Sequence, residues 1–398
     1  MDLYIQMGHG MQKMCLDLLK EWKNGTVILS PVNISHKSAI AFSSRIHKLG
    51  GNILLDPQLY YPRKLHKTLS QYDYWPKQEI TLLETGNFDG VISKLADLNG
   101  GIGSSMMILP SFIAGKIDNH WDNLQKQIIE SAKNHASQFA TLHTIAITSD
   151  VLVREEQVEK IISFVEQWDV NGLYLVCEHP LNEYLVDNTL WMSNMLALVA
   201  GLKRQNKTVI VGYSNHQQLC LSAAKCDAIA SGNFLNVRSF QPKRFETRKD
   251  DEPSRRAKWY YSPQALSEFK ITFLDIAQRL SLLNTLRASG KMENSYSSML
   301  FSGAIPSSTG YGESDSFKHY LYCLRQQCTD LTRSSYKETF NAQMTYLNTA
   351  EQILSSLHAK GIKGQNRDFI DIIDINQAAL AAHNDAYGFS LNQEWSSL

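Results

Sequence analysis

The sequence predicts a (β/α)8 barrel with a helical C-terminal extension. Eight short apolar runs recur through the first 230 residues, amphipathic stretches separate most of them, and several runs end abruptly on a polar residue. Strands of a parallel sheet are buried on both faces and read as continuous apolar runs. Eight such runs alternating with helices are the arithmetic of the barrel. A doubly wound open sheet is the alternative, because the loss of one strand changes the count.

The runs cover residues 3–7, 27–32, 53–55, 106–109, 143–148, 173–177, 208–212 and 228–230, the last short and Ala-rich. Residues 11–22 carry Met11, Met14, Cys15, Leu18 and Leu19 at helical spacing, and residues 118–135, 154–168, 189–203 and 215–224 read likewise. Residues 64–103 must hold a helix plus an inserted segment. The barrel is expected to occupy residues 1–286, with a basic insertion at 238–261. A Ser- and Gly-rich loop follows at 287–316, then a polar-faced helical region at 317–398.

Composition excludes several classes. With 398 residues and 43% hydrophobic content, the chain can bury a large core. Lys+Arg and Asp+Glu both total 39, so net charge points to no partner. The six cysteines form no CxxC pair and suggest a reducing compartment. The N-terminus lacks the basic flank and apolar core of a signal peptide, and no apolar run is long enough to span a bilayer. A cytoplasmic protein is expected.

Chemistry in a parallel barrel belongs at strand C-terminal ends. The run 51–55 stops on Asp56, followed by an aromatic loop with Tyr60, Tyr61 and Arg63. Asp56 is therefore the first candidate acid or base, the alternative being a turn-capping carboxylate. The same rim would collect His9, Asn33, Glu178, Tyr213, Asn215 and Asn233. Asp56 and Glu178 would then be two carboxylates at one mouth, able to support acid/base work or a cationic transition state. The spacing of His9 and His179 matches no compact metal motif, and neither metal nor cofactor is expected. Arg238, Lys243, Arg244, Lys249, Arg248, Arg255, Arg256 and Lys258 precede Trp259, Tyr260 and Tyr261. Bases beside aromatics suit a phosphate backbone with unstacked bases; a solvated loop is the alternative.

The stretch Val211-Gly212-Tyr213-Ser214-Asn215, then Ala223-Ala224-Lys225-Cys226-Asp227, resembles the late barrel of tRNA-guanine transglycosylases. Leu175-Val176-Cys177-Glu178 resembles that family's G-L-x-V-G-E strand end, and Asp56 matches the aspartate of its D-S-G-G-F motif. The resemblance runs over roughly residues 26–236. It implies a (β/α)8 barrel that breaks a nucleoside N-glycosidic bond within a polynucleotide. The departures carry information too. The family's C-x-C-x-x-C zinc signature is absent. Its guanine-reading aspartate and glutamine fall at Pro110 and Ile147, which cannot hydrogen-bond a base edge. Its nucleophilic aspartate falls at Ala230.

Without a nucleophile, water replaces the incoming base, and Asp56 would activate it or stabilise the oxocarbenium-like sugar. The resemblance thus implies a DNA glycosylase acting on a flipped, modified base, stacked on residues such as Tyr60 and Tyr213. A defence role against modified foreign DNA would follow. DNA is favoured over RNA because the zinc subdomain is missing and no familiar RNA-binding module is readable. The alternatives are a transglycosylase inserting a deazaguanine, a small-molecule barrel enzyme, and an inactive nucleic-acid-binding module.

Overall fold

A computed structural model describes residues 1–62, 66–76, 86–246 and 257–398. Eight parallel strands form the barrel: β1 (Asp2–Gln6), β2 (Gly25–Leu29), β3 (Gly51–Leu55), β4 (Met107–Leu109), β5 (Thr141–Ile147), β6 (Gly172–Cys177), β7 (Thr208–Val211) and β8 (Ala228–Ser231). Their order is β3-β2-β1-β8-β7-β6-β5-β4. Register is set by pairs such as Ile5 with Val27, Tyr4 with Ala230 and Ile145 with Leu175. Between β3 and β4 there is no ladder; the Ser105 N–H donates to the Ile53 carbonyl at 3.1 Å and nearly closes the ring. All eight expected strands are present, and their consecutive order, nearly closed between β3 and β4, is that of the barrel rather than of a doubly wound open sheet.

Alternation along each strand produces two separate apolar clusters. Ile28, Leu54, Ile108, Leu142, Ala146, Tyr174, Val176, Ile210, Ala228 and Ala230 fill the lumen. Their neighbours, among them Val27, Ile53, Leu109, Ile147, Leu175 and Val211, face the surrounding helices. Those helices are α1 (Gln12–Trp22), α2 (His36–His47), α3 (Asp89–Ile102), α4 (Asn119–His135), α5 (Glu155–Val165) and α6 (Thr189–Arg204). The Asp118 side chain caps α4 and the Asn188 side chain caps α6, each accepting first-turn N–H groups. After β7 the outer layer is a 3-10 helix, His216–Ala224.

The chain after β8 holds a short helix α7 (Ile271–Arg279) and an antiparallel hairpin, β9 (Trp259–Ser262) with β10 (Ser267–Lys270). Helix α8 (Glu313–Leu331) then packs on β1 and α1, where Lys318 pairs with Asp17. Helices α9 (Tyr336–His358) and α10 (Ile373–Glu394) pack together, α10 against α6 through Arg204 and Glu394 at 2.8 Å. Among the described residues all six cysteines are free and buried, and no helix is long and apolar enough to cross a membrane.

Candidate active site

Asp56 follows β3 directly, on the parity of Leu54, so its side chain enters the lumen at the C-terminal mouth. It has no exposed surface. Its Oδ1 accepts the Gln58 N–H at 3.0 Å and the Tyr60 hydroxyl at 2.9 Å. Its Oδ2 accepts the Tyr213 hydroxyl at 2.7 Å, with the Tyr174 hydroxyl at 3.4 Å. The Tyr174 hydroxyl also lies 3.0 Å from Gln6 Oε1, and Gln58 Nε2 donates to Ser30 Oγ and to the Tyr213 oxygen. Burial pushes the Asp56 carboxyl up to about 6, against the pull of the hydrogen bonds from Tyr213, Gln58, Tyr60 and Tyr174. Burial drives all three phenols well above the ordinary tyrosine value, so they remain donors at neutral pH. Among the described residues no cation pairs with Asp56.

The backbone is strained around this carboxylate. Gln58 and Tyr213 adopt φ of 54° and 53°, the left-handed region that bulky side chains rarely occupy. Gly212 is required by close approach: a Cβ there would come within 2.4 Å of the Tyr174 hydroxyl oxygen. Among the described residues the buried amide nitrogen of Gln6 has no partner, an arrangement that costs about 1–3 kcal/mol.

The mouth is shut. Residues 238–246 cross it, and Phe240 and Phe245 each place their rings 5.0 Å from the Tyr60 ring. Phe240 also lies 5.3 Å from Tyr213. The His179 N–H donates to the Phe240 carbonyl at 3.1 Å, extending the end of β6 by one parallel bridge between Glu178 and Phe240.

Of the residues expected to line one rim, the structure brings Asp56, Tyr60 and Tyr213 together and separates the rest. The Glu178 carboxylate accepts the Ser149 N–H at 3.0 Å, while the groups around Asp56 among the described residues are phenols and amides, so the expected carboxylate pair gives way to one carboxylate among phenols. Asn215 is consumed as a helix cap and by the carbonyls of Tyr184 and Arg238. Ile147 belongs to the helix-facing cluster and cannot line a base pocket in the lumen. Pro110 is buried after β4. Asn33 bonds Ser30 Oγ, and Asn233 donates to the carbonyl of exposed His9 beside β1 and α8. Among the described residues no three His, Cys, Asp or Glu side chains converge as a metal would require.

The basic segment divides. Arg238, expected to touch phosphate, is 1% exposed and pairs with Glu268 at 3.3 Å. Its guanidinium stacks 3.5 Å over the Tyr320 ring and its Nε donates to the Gly232 carbonyl, which leaves it no face for a nucleic acid. Arg367 joins the same carboxylate at 2.8 Å and stacks 3.9 Å over half-buried Trp259. Lys243, Arg244 and Lys258 are exposed. Arg63, Arg248, Arg255 and Arg256 lie outside the described residues.

Tyr174, Gln6, Gln58, Ser30, Phe240 and Phe245 are site residues that sequence reasoning missed. The parity of Tyr174 with Val176 on an inward-facing strand was the available signal.

This is a (β/α)8 barrel whose mouth holds one buried carboxylate under an aromatic cover. No protein-family model matches the chain, and no curated protein sequence does. Several solved structures are similar, three of them as follows. A xylose isomerase domain protein from Planctomyces limnophilus is 11% identical, with TM-score 0.31, over 53% of this chain and 72% of that one. A glucosidase from Croceicoccus marinus is 9% identical, with TM-score 0.32, over 57% and 58%. The carboxyl transferase domain of Rhizobium etli pyruvate carboxylase is 8% identical, with TM-score 0.35, over 97% and 78%. Similarity at this level assigns no activity; the barrel rests on its own strand order.

Proposed function

We propose that the chain is a barrel hydrolase of N-glycosidic bonds, acting on a modified base in DNA, with Asp56 at the reacting sugar. The observation that carries this reading is a fully buried carboxylate with four donors and no cationic partner among the described residues. A buried anion lacking a counter-ion is complementary to positive charge that appears only as the sugar–base bond stretches. Its titration near 6 also suits removal of a proton from water. Ala230, in the lumen, offers no covalent anchor, which favours water over an incoming base. Asp227, at the start of β8, is bound to Lys203 at 2.9 Å and is a structural group. The likeness of the strand ends to tRNA-guanine transglycosylases supports N-glycosidic chemistry in particular.

A second reading, hydrolysis of a small glycoside or nucleoside, is favoured by the closed mouth. One experiment separates them. The protein is incubated with single- and double-stranded DNA of differing base modification and, in parallel, with free nucleosides. Abasic sites are revealed by alkaline cleavage, and released base by mass spectrometry. Released base with abasic DNA is expected, and Asp56→Asn should lose ~2–4 orders of magnitude in rate. Base exchange without abasic DNA would instead indicate a transglycosylase. Turnover of nucleosides alone would establish the second reading.

A further inference from the structure

The strap across the mouth has two chemically different faces. Its inner face carries Phe240 and Phe245, both at most 9% exposed, against Tyr60 and Tyr213. Its outer face presents the exposed Lys243 and Arg244 on a single helical turn, Lys243–Glu246. At Arg238 the strap is anchored by the buried Glu268 pair and by Asn215 Nδ2, which donates to the Arg238 carbonyl at 3.2 Å. Beyond that point the bonds to the barrel include His179 N–H to the Phe240 carbonyl and Gln241 Nε2 to the His179 carbonyl at 3.4 Å. The Arg244 guanidinium bonds back to the strap itself, at the Ser239 carbonyl. Beneath it lie Asp56 and the Gln6 amide, which has no partner among the described residues, neither with any exposed surface. No substrate can reach Asp56 while Phe240 and Phe245 are seated.

The geometry points to a nucleic-acid-operated cover: Lys243 and Arg244 bind the phosphodiester backbone of single-stranded DNA, and this engagement lifts Phe240 and Phe245 off Tyr60 and Tyr213. The inference rests on the reading of Asp56 as the group at the reacting bond. Binding energy from phosphates remote from the reaction is then spent on unseating two aromatic rings.

Nitration of tyrosines by tetranitromethane, mapped by mass spectrometry on the full chain, tests this without turnover. Tyr60 and Tyr213 should resist nitration in the free protein and react several-fold faster with a single-stranded DNA oligonucleotide. Amide exchange at His179 should accelerate in parallel, since its partner is the Phe240 carbonyl. The paired variant Phe240→Ala/Phe245→Ala should react fast without DNA. Lys243→Gln/Arg244→Gln should abolish the DNA effect and lower the salt slope of binding by ~0.7 per lost contact. DNA that fails to bind, or binds with both tyrosines still resistant, overturns the cover. Heparin acting as well as DNA overturns the phosphodiester assignment. Glycosidic turnover of a small substrate alongside resistant tyrosines would sink the cover while leaving the role of Asp56 intact.

Discussion

Asp56 and Glu268 are both carboxylates with almost no exposed surface, and their surroundings could hardly differ more. Burial pushes both upward. At Glu268 the guanidinium groups of Arg367 and Arg238 outweigh burial and hold the carboxyl at about 2. At Asp56 only hydroxyls and one backbone N–H oppose burial, and the carboxyl rests at about 6. Glu268 is satisfied within the chain and ties the β9–β10 hairpin to the chain after β8 and to Arg367. Asp56 is solvated by dipoles and left with its charge uncompensated. One arrangement holds the fold; the other keeps a buried carboxylate without a counter-ion among the described residues.

The largest effect should come from breaking the compensated site. Glu268→Gln leaves two buried guanidinium groups without their anion and should cost about 3–5 kcal/mol, read by urea denaturation at neutral pH. Because its folded value is depressed, the stability it supplies is present above the ordinary glutamate range and is lost as pH falls toward about 2. A loss below about 1 kcal/mol would show that the two carboxylates are not different in kind.

At the uncompensated site the sign reverses. The folded value of Asp56 lies above the unfolded one, so ionisation opposes folding. The penalty is absent below the unfolded value, grows between about 4 and about 6, and is full above that range. Asp56→Asn should therefore raise stability by up to about 3 kcal/mol in mildly alkaline buffer, and by almost nothing near pH ~4. Destabilisation at both would mean that the tyrosine bonds outweigh the buried charge.

A smaller change refines the picture. Tyr213→Phe removes the shortest donor to Asp56, at 2.7 Å. The carboxyl should move further up, by about one pH unit, in a carbon-detected titration, with about 1–2 kcal/mol lost at neutral pH. An unmoved carboxyl would assign the ionic balance to Gln58 and Tyr60 instead.

Much of the fold was readable because its strands are buried on both sides and stop sharply at polar residues. Asp56 was readable for the same reason. Helix α2 was not singled out, since its inward face is only Ala39, Phe42, Ser43 and Ile46. The β9–β10 hairpin hid in aromatics that read as a stacking platform, because local sequence does not say whether Trp259 meets a base or Arg367. Arg238 illustrates the limit most clearly. It stands among bases in the chain, but its burial depends on Glu268, thirty residues away, and on Tyr320 in another helix. Glu178 shows a related limit: a strand-end carboxylate can also serve a turn, and here it accepts the Ser149 N–H.

The left-handed backbone at Tyr213 has a practical use. That residue, its counterpart at Gln58, the uncompensated Asp56 and the orphaned Gln6 amide each lower stability within one small volume. Substitutions that relax any of them should raise the melting temperature while abolishing turnover, the trade-off typical of reactive centres. A library sorted only for heat resistance would then concentrate its winners around the barrel mouth. Heat resistance alone would then map the strained volume around Asp56.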